Sequence, residues 1–365
     1  MLSIGIVGLP NIGKSTLFQA ITKKQVAIAN FPFTTVDPNI GIAPVSDERL
    51  TKIGQLQKSK KIIPATVKFV DIAGLVKGAA EGLGLGNQFL SYIRETTAIV
   101  EVLRMFKNPE VANIEDEINP LRDLEIIGAE LILADLETLG RIFTKIEHDI
   151  KAGDKAAQKN FEIIKLFEKT LQSGEWLGKL KLEKEENEMI KEYNFLTIKP
   201  VIILLNIDET VTKEEIEEIT NRILKESGLT ITGDNILAVD LATELIVSEL
   251  SPEELKELNL SKNPISNSLD ELIKRTYQIL DLISFFTTTG EEETRGWPLK
   301  RNSTAWEAAG LIHSDFQEKF IKAEVANWKD FLAAGSWTKA RETGKLKTEG
   351  RDYVVQDGDI LYFKI

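Results

Sequence analysis

Cysteine is absent, and histidine occurs only twice, at His148 and His313. Without thiols the chain has neither disulfides nor thiolate nucleophiles, and two imidazoles do not furnish the usual zinc site. A reducing cytoplasm fits that usage. Long hydrophobic runs are missing as well. Stretches such as Val201 to Leu205 stop far short of the roughly 20 residues that a membrane helix needs, so no membrane partner is expected. No basic residue precedes Lys14 and no signal-peptide layout is present, so export is not expected. Positive charge is in deficit, with 45 Lys and Arg against 57 Asp and Glu and a net charge of −12. That balance excludes sequence-blind coating of nucleic acid or anionic membrane, and any RNA contact must be local. The chain has 365 residues, 42% of them hydrophobic and 28% charged, so intrinsic disorder is excluded as the main state and two or three domains with cores are expected.

Short β-branched runs alternate with longer helical patterns, the rhythm of a parallel sheet covered by helices. Strands are expected at Ser3 to Val7, Val67 to Asp71, Ala98 to Leu103, Val201 to Leu205 and Ile236 to Val239. Between about Leu124 and Lys199 the rhythm breaks. Ile132, Leu136, Leu139, Phe143, Ile146 and Ile150 recur alternately four and three apart on a charged background, which predicts one long amphipathic helix. After Ala152-Gly153-Asp154 a second pattern carries Phe161, Ile164, Phe167 and Leu171, so an antiparallel helical hairpin inserted into the α/β domain is expected. Extra core helices of one domain are the alternative. From about Leu282 the character changes again. Strand candidates at Ile283 to Thr288, Tyr353 to Val355 and Ile360 to Phe363, with one short helix from about Thr304, predict a small α+β module. Residues 301–365 hold ten basic and ten acidic residues, so the acidic excess lies upstream. Lys339 to Arg351 holds five basic residues against two acidic, a candidate RNA-phosphate contact or simply a solvated face. The oligomeric state is left open.

The most specific signal is Gly8-Leu-Pro-Asn-Ile-Gly-Lys-Ser15, which matches G-x-x-x-x-G-K-[ST], follows an expected strand and opens an expected helix. The glycines let main-chain N–H groups and the helix N-terminus face a β-phosphate. Lys14 neutralises the β- and γ-phosphates, and Ser15 offers an oxygen to Mg²⁺. Downstream, Val67-Lys-Phe-Val-Asp71-Ile-Ala-Gly74 ends a hydrophobic strand. Asp71 is placed to hold a magnesium-bound water and the Gly74 amide to contact a γ-phosphate. Gly78, Gly82, Gly84 and Gly86 give the segment that follows the freedom of a switch. Between these parts, Asn30-Phe-Pro-Phe-Thr34-Thr35-Val-Asp-Pro38 supplies a threonine to close over Mg²⁺, and Thr35 is preferred to Thr34. A hydroxyl-rich turn is the plainer reading.

Base selection is expected at the end of a later strand, Val201-Ile-Ile-Leu-Leu-Asn206-Ile207-Asp208-Glu209. A guanine reader of this fold carries N-K-x-D. Here no lysine follows Asn206, and the fourth position is Glu209, one methylene longer. A carboxamide pairs with the adenine amino group and its Hoogsteen nitrogen, so ATP is preferred over GTP on chemical grounds. The alternative is that Asn206 only ends the strand and the base is read elsewhere. Leu75 stands after Asp71-Ile-Ala-Gly74, where many GTPases place a water-orienting glutamine, so slow intrinsic hydrolysis is expected. Asn11 is a candidate K⁺ ligand, or a structural hydrogen-bonding residue of the loop.

Together, Gly8 to Thr16, Asn30 to Asn39, Asp71-Ile-Ala-Gly-Leu-Val-Lys-Gly78, the N-x-x-E of Asn206 to Glu209 and the tail Lys347 to Asp359 resemble the Obg-like ATPase (YchF) family over nearly the whole chain. The resemblance implies a P-loop NTPase domain over residues 1–123 and 200–280, a helical hairpin over 124–199 and a C-terminal ubiquitin-like TGS domain over 281–365. It implies a ribosome-associated, Mg²⁺-dependent ATPase, with the ribosome or RNA met through the TGS domain and hairpin. It further implies that Asn11, Ile12, Gly13, Lys14, Ser15 and Thr16 bind phosphate, that Ser15 and Thr35 ligate Mg²⁺, and that Asn206 and Ile207 lie on the base. Two positions depart from the pattern. Asp240 replaces a small residue in the late loop that approaches the base, and Asn113 stands where many members have histidine. An Obg-type GTPase and an ATP-bound adaptor with little turnover are the competing functions.

Overall fold

The computed structural model describes residues 2–27, 39–72, 85–107, 118–153, 155–183, 186, 192–250, 254 and 268–365. The chain divides into two compact units, one made of residues 1–23, 37–41 and 68–269, the other of 24–36, 42–67 and 270–365. Among the described residues no helix is long and apolar enough to cross a membrane.

One sheet is built of β1 (Ser3–Val7), β2 (Ile40–Pro44), β4 (Thr66–Asp71), β5 (Ala98–Arg104), β6 (Val201–Asn206) and β7 (Ile236–Val239), in the order β2-β4-β1-β5-β6-β7. The pairings β1 with β4, β1 with β5, β5 with β6 and β6 with β7 are all parallel. Every residue of β1, β5 and β6 is buried, which is why these strands read as mainly apolar runs, with Glu101 and Arg104 the charged exceptions in β5. The five strands expected from sequence form, each within one residue of its expected ends. β2 was not expected, because Gly41 and Pro44 give it the composition of a turn. The register sets Ile6 beside Asp71 and Arg104 beside Asn206, and Asn206 beside Val239. The carboxyl ends of the strands therefore deliver Gly8, Asp71, Asn206 and Asp240 to one edge of the sheet, where ligands of such folds bind.

The interruption forms the expected hairpin. α4 (Pro120–Lys151) starts with the Asn119 side chain accepting from the Arg122 N–H and with proline in its first turn. After Gly153, at φ +89°, α5 (Lys155–Gln172) runs back along it. Leu139, Ile142 and Ile146 bury against Ile164, Phe167 and Leu171, with Ile132, Leu136, Phe143 and Ile150 partly buried beside them. Phe143 and Phe161 meet edge to face at 5.7 Å. At the base of the hairpin the fully buried Asp135 carboxylate accepts from the Leu196 and Thr197 amides and the Thr197 hydroxyl at 2.8–2.9 Å. The Arg94 guanidinium, at the end of α3 (Leu85–Glu95), lies 3.8 Å from Asp135 and donates to the Asn194 carbonyl and the Thr138 hydroxyl. Lys199 donates to the carbonyls of Arg94 and Thr96, and burial lowers its amine to about 8.

The second unit carries a sheet in the order β11-β10-β12-β8-β9-β3. β8 (Leu282–Thr288) and β9 (Glu293–Lys300) form an antiparallel hairpin; β10 (Lys322–Asn327) pairs antiparallel with β11 (Lys347–Glu349) and β12 (Asp359–Lys364). β3 (Lys61–Ile63) joins parallel to β9. One face packs Ile283, Phe285, Leu361 and Phe363 against the helix Ala305–Ile312. The other packs Phe286 and Ile360 with Phe331 and with Leu50 and Ile53 of α2 (Glu48–Gln57). Arg49 on α2 holds Asp357 at 2.8 Å.

Two expectations for this region need correction. Tyr353 to Val355 forms no strand but a single bridge, Val354 to Thr304, because its main chain pairs with the turn that opens the helix Ala305–Ile312. The one expected helix is joined by Ser314–Glu318, Trp328–Ala334 and Trp337–Glu342. Within the basic cluster, Arg341 pairs with Glu324 at 2.8 Å, Lys345 with Asp330 at 3.0 Å, and Arg351 donates to the Phe320 carbonyl.

Candidate nucleotide site

β1 ends in the loop Gly8 to Gly13, which opens α1 (Lys14–Ala27). Three loop residues have positive φ: Gly8 at +152°, Asn11 at +63° and Gly13 at +104°. At Gly8 a β-carbon would stand 2.7 Å from the Val102 carbonyl, and at Gly13 it would run into Asn206 Nδ2. The two glycines of the motif are therefore demanded by sterics as well as by torsion. Lys14 is 8% exposed, and its ammonium donates to the Leu9 carbonyl at 2.7 Å. Burial lowers its pKa to about 8, an effect that the Asp71 charge opposes. Burial likewise raises the Asp71 carboxyl, with Lys14 pulling the other way.

Asn206 is 6% exposed and braces three segments. Its Nδ2 donates to the Ile12 carbonyl at 2.9 Å, its Oδ1 accepts from the Leu241 amide at 3.4 Å, and its main-chain carbonyl accepts from the Met105 and Phe106 amides. The carboxamide read from sequence as an adenine partner is thus turned onto the P-loop and the β7 turn. Asp208 closes the next turn, with Oδ2 accepting from the Lys107 amide at 2.7 Å and Oδ1 from the Thr210 amide and hydroxyl. Asp240 caps the helix Leu241–Glu249, accepting from the Thr243 amide and hydroxyl.

These groups surround a cavity of about 540 Å³ lined by Asn11, Gly13 to Thr16, Phe106, Lys107, Asn206 to Asp208 and Asp240 to Ala242. The structure therefore brings Asn11, Gly13, Lys14, Ser15, Thr16, Asn206 and Ile207 together. Ile12 turns into the core at 4% exposure, leaving only its main chain to the loop. Glu209 is exposed and outside the lining. Gly74, Thr35, Leu75 and Asn113 lie outside the described residues. Phe106, Lys107 and Leu241 were missed from sequence. Their signal was position, since Phe106 and Lys107 directly follow β5 and Leu241 follows β7 at the ligand edge. Arg104 lies over the Phe106 ring at 4.4 Å and donates to its carbonyl. Among the described residues no cluster of three or more His, Cys, Asp or Glu is placed to hold a metal ion.

Comparison with known proteins agrees with this geometry. A family model described as a 50S ribosome-binding GTPase matches residues 3–134, and the YchF GTPase C-terminal model, described as a protein of unknown function, matches residues 282–365. The chain is 41% identical over 366 residues to the Ribosome-binding ATPase YchF of Bacillus subtilis, covering 100% of this chain and 99% of that one. The chain belongs to the YchF family. It is also 39% identical to the YchF protein of Haemophilus influenzae over 362 residues, covering 99% of this chain and 98% of that one. The solved structure of the Schizosaccharomyces pombe YchF GTPase matches with a TM-score of 0.87 at 35% identity, covering 100% of this chain and 97% of that one. The YchF fold accounts for both sheets, and the cavity beside Lys14 lies at the P-loop of that fold.

Proposed function

We propose that this YchF-family chain is a Mg²⁺-dependent ATPase that switches state with its bound nucleotide and works in contact with the ribosome. The observation that carries the choice of base is the state of the carboxylates at the base end of the cavity. Guanine recognition in this fold needs a free carboxylate for two N–H groups. Glu209 stands outside the lining, and both Asp208 oxygens already accept hydrogen bonds within the protein. Asp240 is engaged as a helix cap. The base then meets Phe106, Ile207, Leu241 and main-chain groups, surroundings that give guanine no ionic advantage. The names of the bacterial relatives, ribosome-binding ATPases, support the same reading.

In this reading Lys14 and the N-terminus of α1 neutralise the β- and γ-phosphates, with the Gly74 amide at the γ-phosphate. Ser15 and Thr35, and Asp71 through water, would hold Mg²⁺. Mg²⁺ would supply charge neutralisation across the phosphates. Asn11 is the proposed ligand for K⁺. Leucine at position 75 cannot orient the attacking water, so intrinsic turnover is slow and a partner accelerates it. The C-terminal unit, as a TGS domain, and the hairpin make the ribosomal or RNA contact.

A second reading, an Obg-type GTPase, has the GTPase descriptions of the N-terminal family model and the fission-yeast structure in its favour. Titration of fluorescent ATP and GTP analogues in Mg²⁺ and K⁺, with unlabelled nucleotides as competitors, separates the two. ATP is expected to bind more tightly than GTP by a modest margin, and a clear preference for GTP would overturn the ATPase reading. Single-turnover hydrolysis with and without ribosomes tests the switch, and no acceleration by ribosomes would favour an adaptor.

A further inference from the structure

A second cleft, of about 490 Å³, shares no lining residue with the nucleotide cavity. One wall is the α4 face of Leu124, Gly128 and Ile132, spaced four apart, where glycine leaves room beside the Trp176 indole. The other wall is formed by two chain reversals, one after α5 and one after the helix Lys213–Glu226. Gly174 and Gly228 make these turns at φ +79° and +69°. They approach so closely that a β-carbon on Gly228 would stand 3.2 Å from the Gly174 carbonyl oxygen.

Two independent observations define what this cleft accepts. The first is charge. Both helices end here, and each helix C-terminus carries about half a negative charge. Glu125, Glu175 and Glu226 add three carboxylates against Lys179 and Lys225; Lys179 is engaged with Glu175 at 2.5 Å, and Arg222 reaches Glu226 only loosely, at 4.0 Å. The second is an unused donor. Trp176 is 3% exposed, its indole N–H makes no hydrogen bond to another described residue, and the nitrogen is not among the fully buried unpaired atoms, so this donor is left open to the cleft. The ring nitrogen faces Gly128, 3.4 Å from where a β-carbon would stand, and both residues line the cleft.

A ligand for this cleft must bring a cation for the carboxylates, an acceptor for the indole N–H and an apolar stem for Leu124 and Ile132. A metal ion or a polyamine has no acceptor. An arginine within a peptide has all three: a guanidinium fork, a main-chain carbonyl and a methylene stem. We propose that this cleft docks a basic polypeptide segment of a partner, with an arginine side chain directed at Glu125 and Glu226 and a main-chain carbonyl on Trp176 Nε1. This docking does not depend on which nucleotide the P-loop prefers.

The test uses the full chain and a fluorescein-labelled Gly-Arg-Gly-Arg-Gly-Arg-Gly peptide, read by anisotropy and by the indole N–H resonances of the five tryptophans. Trp176→Phe assigns the Trp176 signal. Peptide should move that signal downfield with the same saturation as the anisotropy. The double variant Glu125→Gln with Glu226→Gln, both at exposed positions, should weaken binding by about tenfold, the scale of losing close charge partners. Gly128→Ala, which sets a methyl over the indole nitrogen, should weaken it while leaving the salt dependence intact. ATP affinity should be unchanged in both variants. No shift at Trp176, or unaltered peptide affinity in both variants, overturns the proposal. An equal Trp176 shift with spermidine overturns the polypeptide assignment in favour of a small-polycation site.

Discussion

Replacing Gly13 by alanine tests the brace between the P-loop and β6. At φ +104° an L-residue is strained by about 1–2 kcal/mol. Its β-carbon would also stand closer than 3.0 Å to Asn206 Nδ2. Relief requires the carboxamide to leave the Ile12 carbonyl, and a buried acceptor left unpaired costs about 1–3 kcal/mol. The sum is about 2–5 kcal/mol, and ATP affinity should fall with the loss of loop shape. The two contributions separate in a double-mutant cycle. In an Asn206→Ala background there is no Nδ2 to displace, so Gly13→Ala should cost only the torsional part, and the coupling should be about 1–3 kcal/mol. Urea denaturation of the four proteins, monitored by hydrogen exchange of the α1 amides, measures it. Equal costs of Gly13→Ala in both backgrounds would refute the argument.

Lys14→Ala removes the buried P-loop cation and should abolish tight ATP binding with the fold intact; retained affinity by calorimetry would contradict the phosphate assignment. Arg94→Ala strips the fully buried Asp135 of its nearest cation and should destabilise the hairpin base by about 2–4 kcal/mol, read as faster amide exchange in α4 around Leu131 to Ile142. Unchanged protection there would show the ion pair to be idle. Burial opposes ionisation of Asp357, but Arg49 and the Ser284 amide outweigh it and hold its carboxyl below its ordinary value. A depressed carboxyl contributes stability above its unfolded pKa, about 3.9, and loses it as pH falls through the folded value. Because Asp357 is half exposed, Asp357→Asn should cost only about 1 kcal/mol at pH 7 after screening and flatten the stability profile below about pH 4. An unaltered acid limb in urea midpoints from pH 7 to pH 3 would argue against the pair.

The parts of this protein that could be read in advance are those encoded locally or by burial on both sides. β1, β5 and β6 are largely apolar because both faces of the sheet are buried there, so their existence and order in the chain were plain despite Glu101 and Arg104 in β5. The hairpin followed from one repeating spacing, and the P-loop from eight consecutive residues. Strands that depend on distant partners were not legible. β3 exists because Lys61 to Ile63 find β9 more than 200 residues away, and β9, with Gly296 and Pro298 inside it, carries no clean alternation. Side-chain direction was equally hidden. Sequence places Asn206 at the end of a strand, but whether its amide faces a ligand or Ile12 is decided by an approach across 194 residues. Phe106 has no motif around it and acquires its place in the cavity only when β5 and β6 lie side by side.

The segment 42–67 changes how this protein must be taken apart. Leu50 and Ile53 fill one side of the C-terminal sheet, β3 lengthens its edge, and Arg49 ties down Asp357. A cut near residue 281 would strip the cover from α2 and leave an oily helix in water, while a fragment of residues 282–365 would carry a raw sheet face that includes Phe286 and Ile360. Either piece would aggregate for reasons unrelated to nucleotide or ribosome. A faithful excision has to carry residues 42–67 along, tethered by a designed linker to residue 270, so the gene's last quarter is not a detachable cassette.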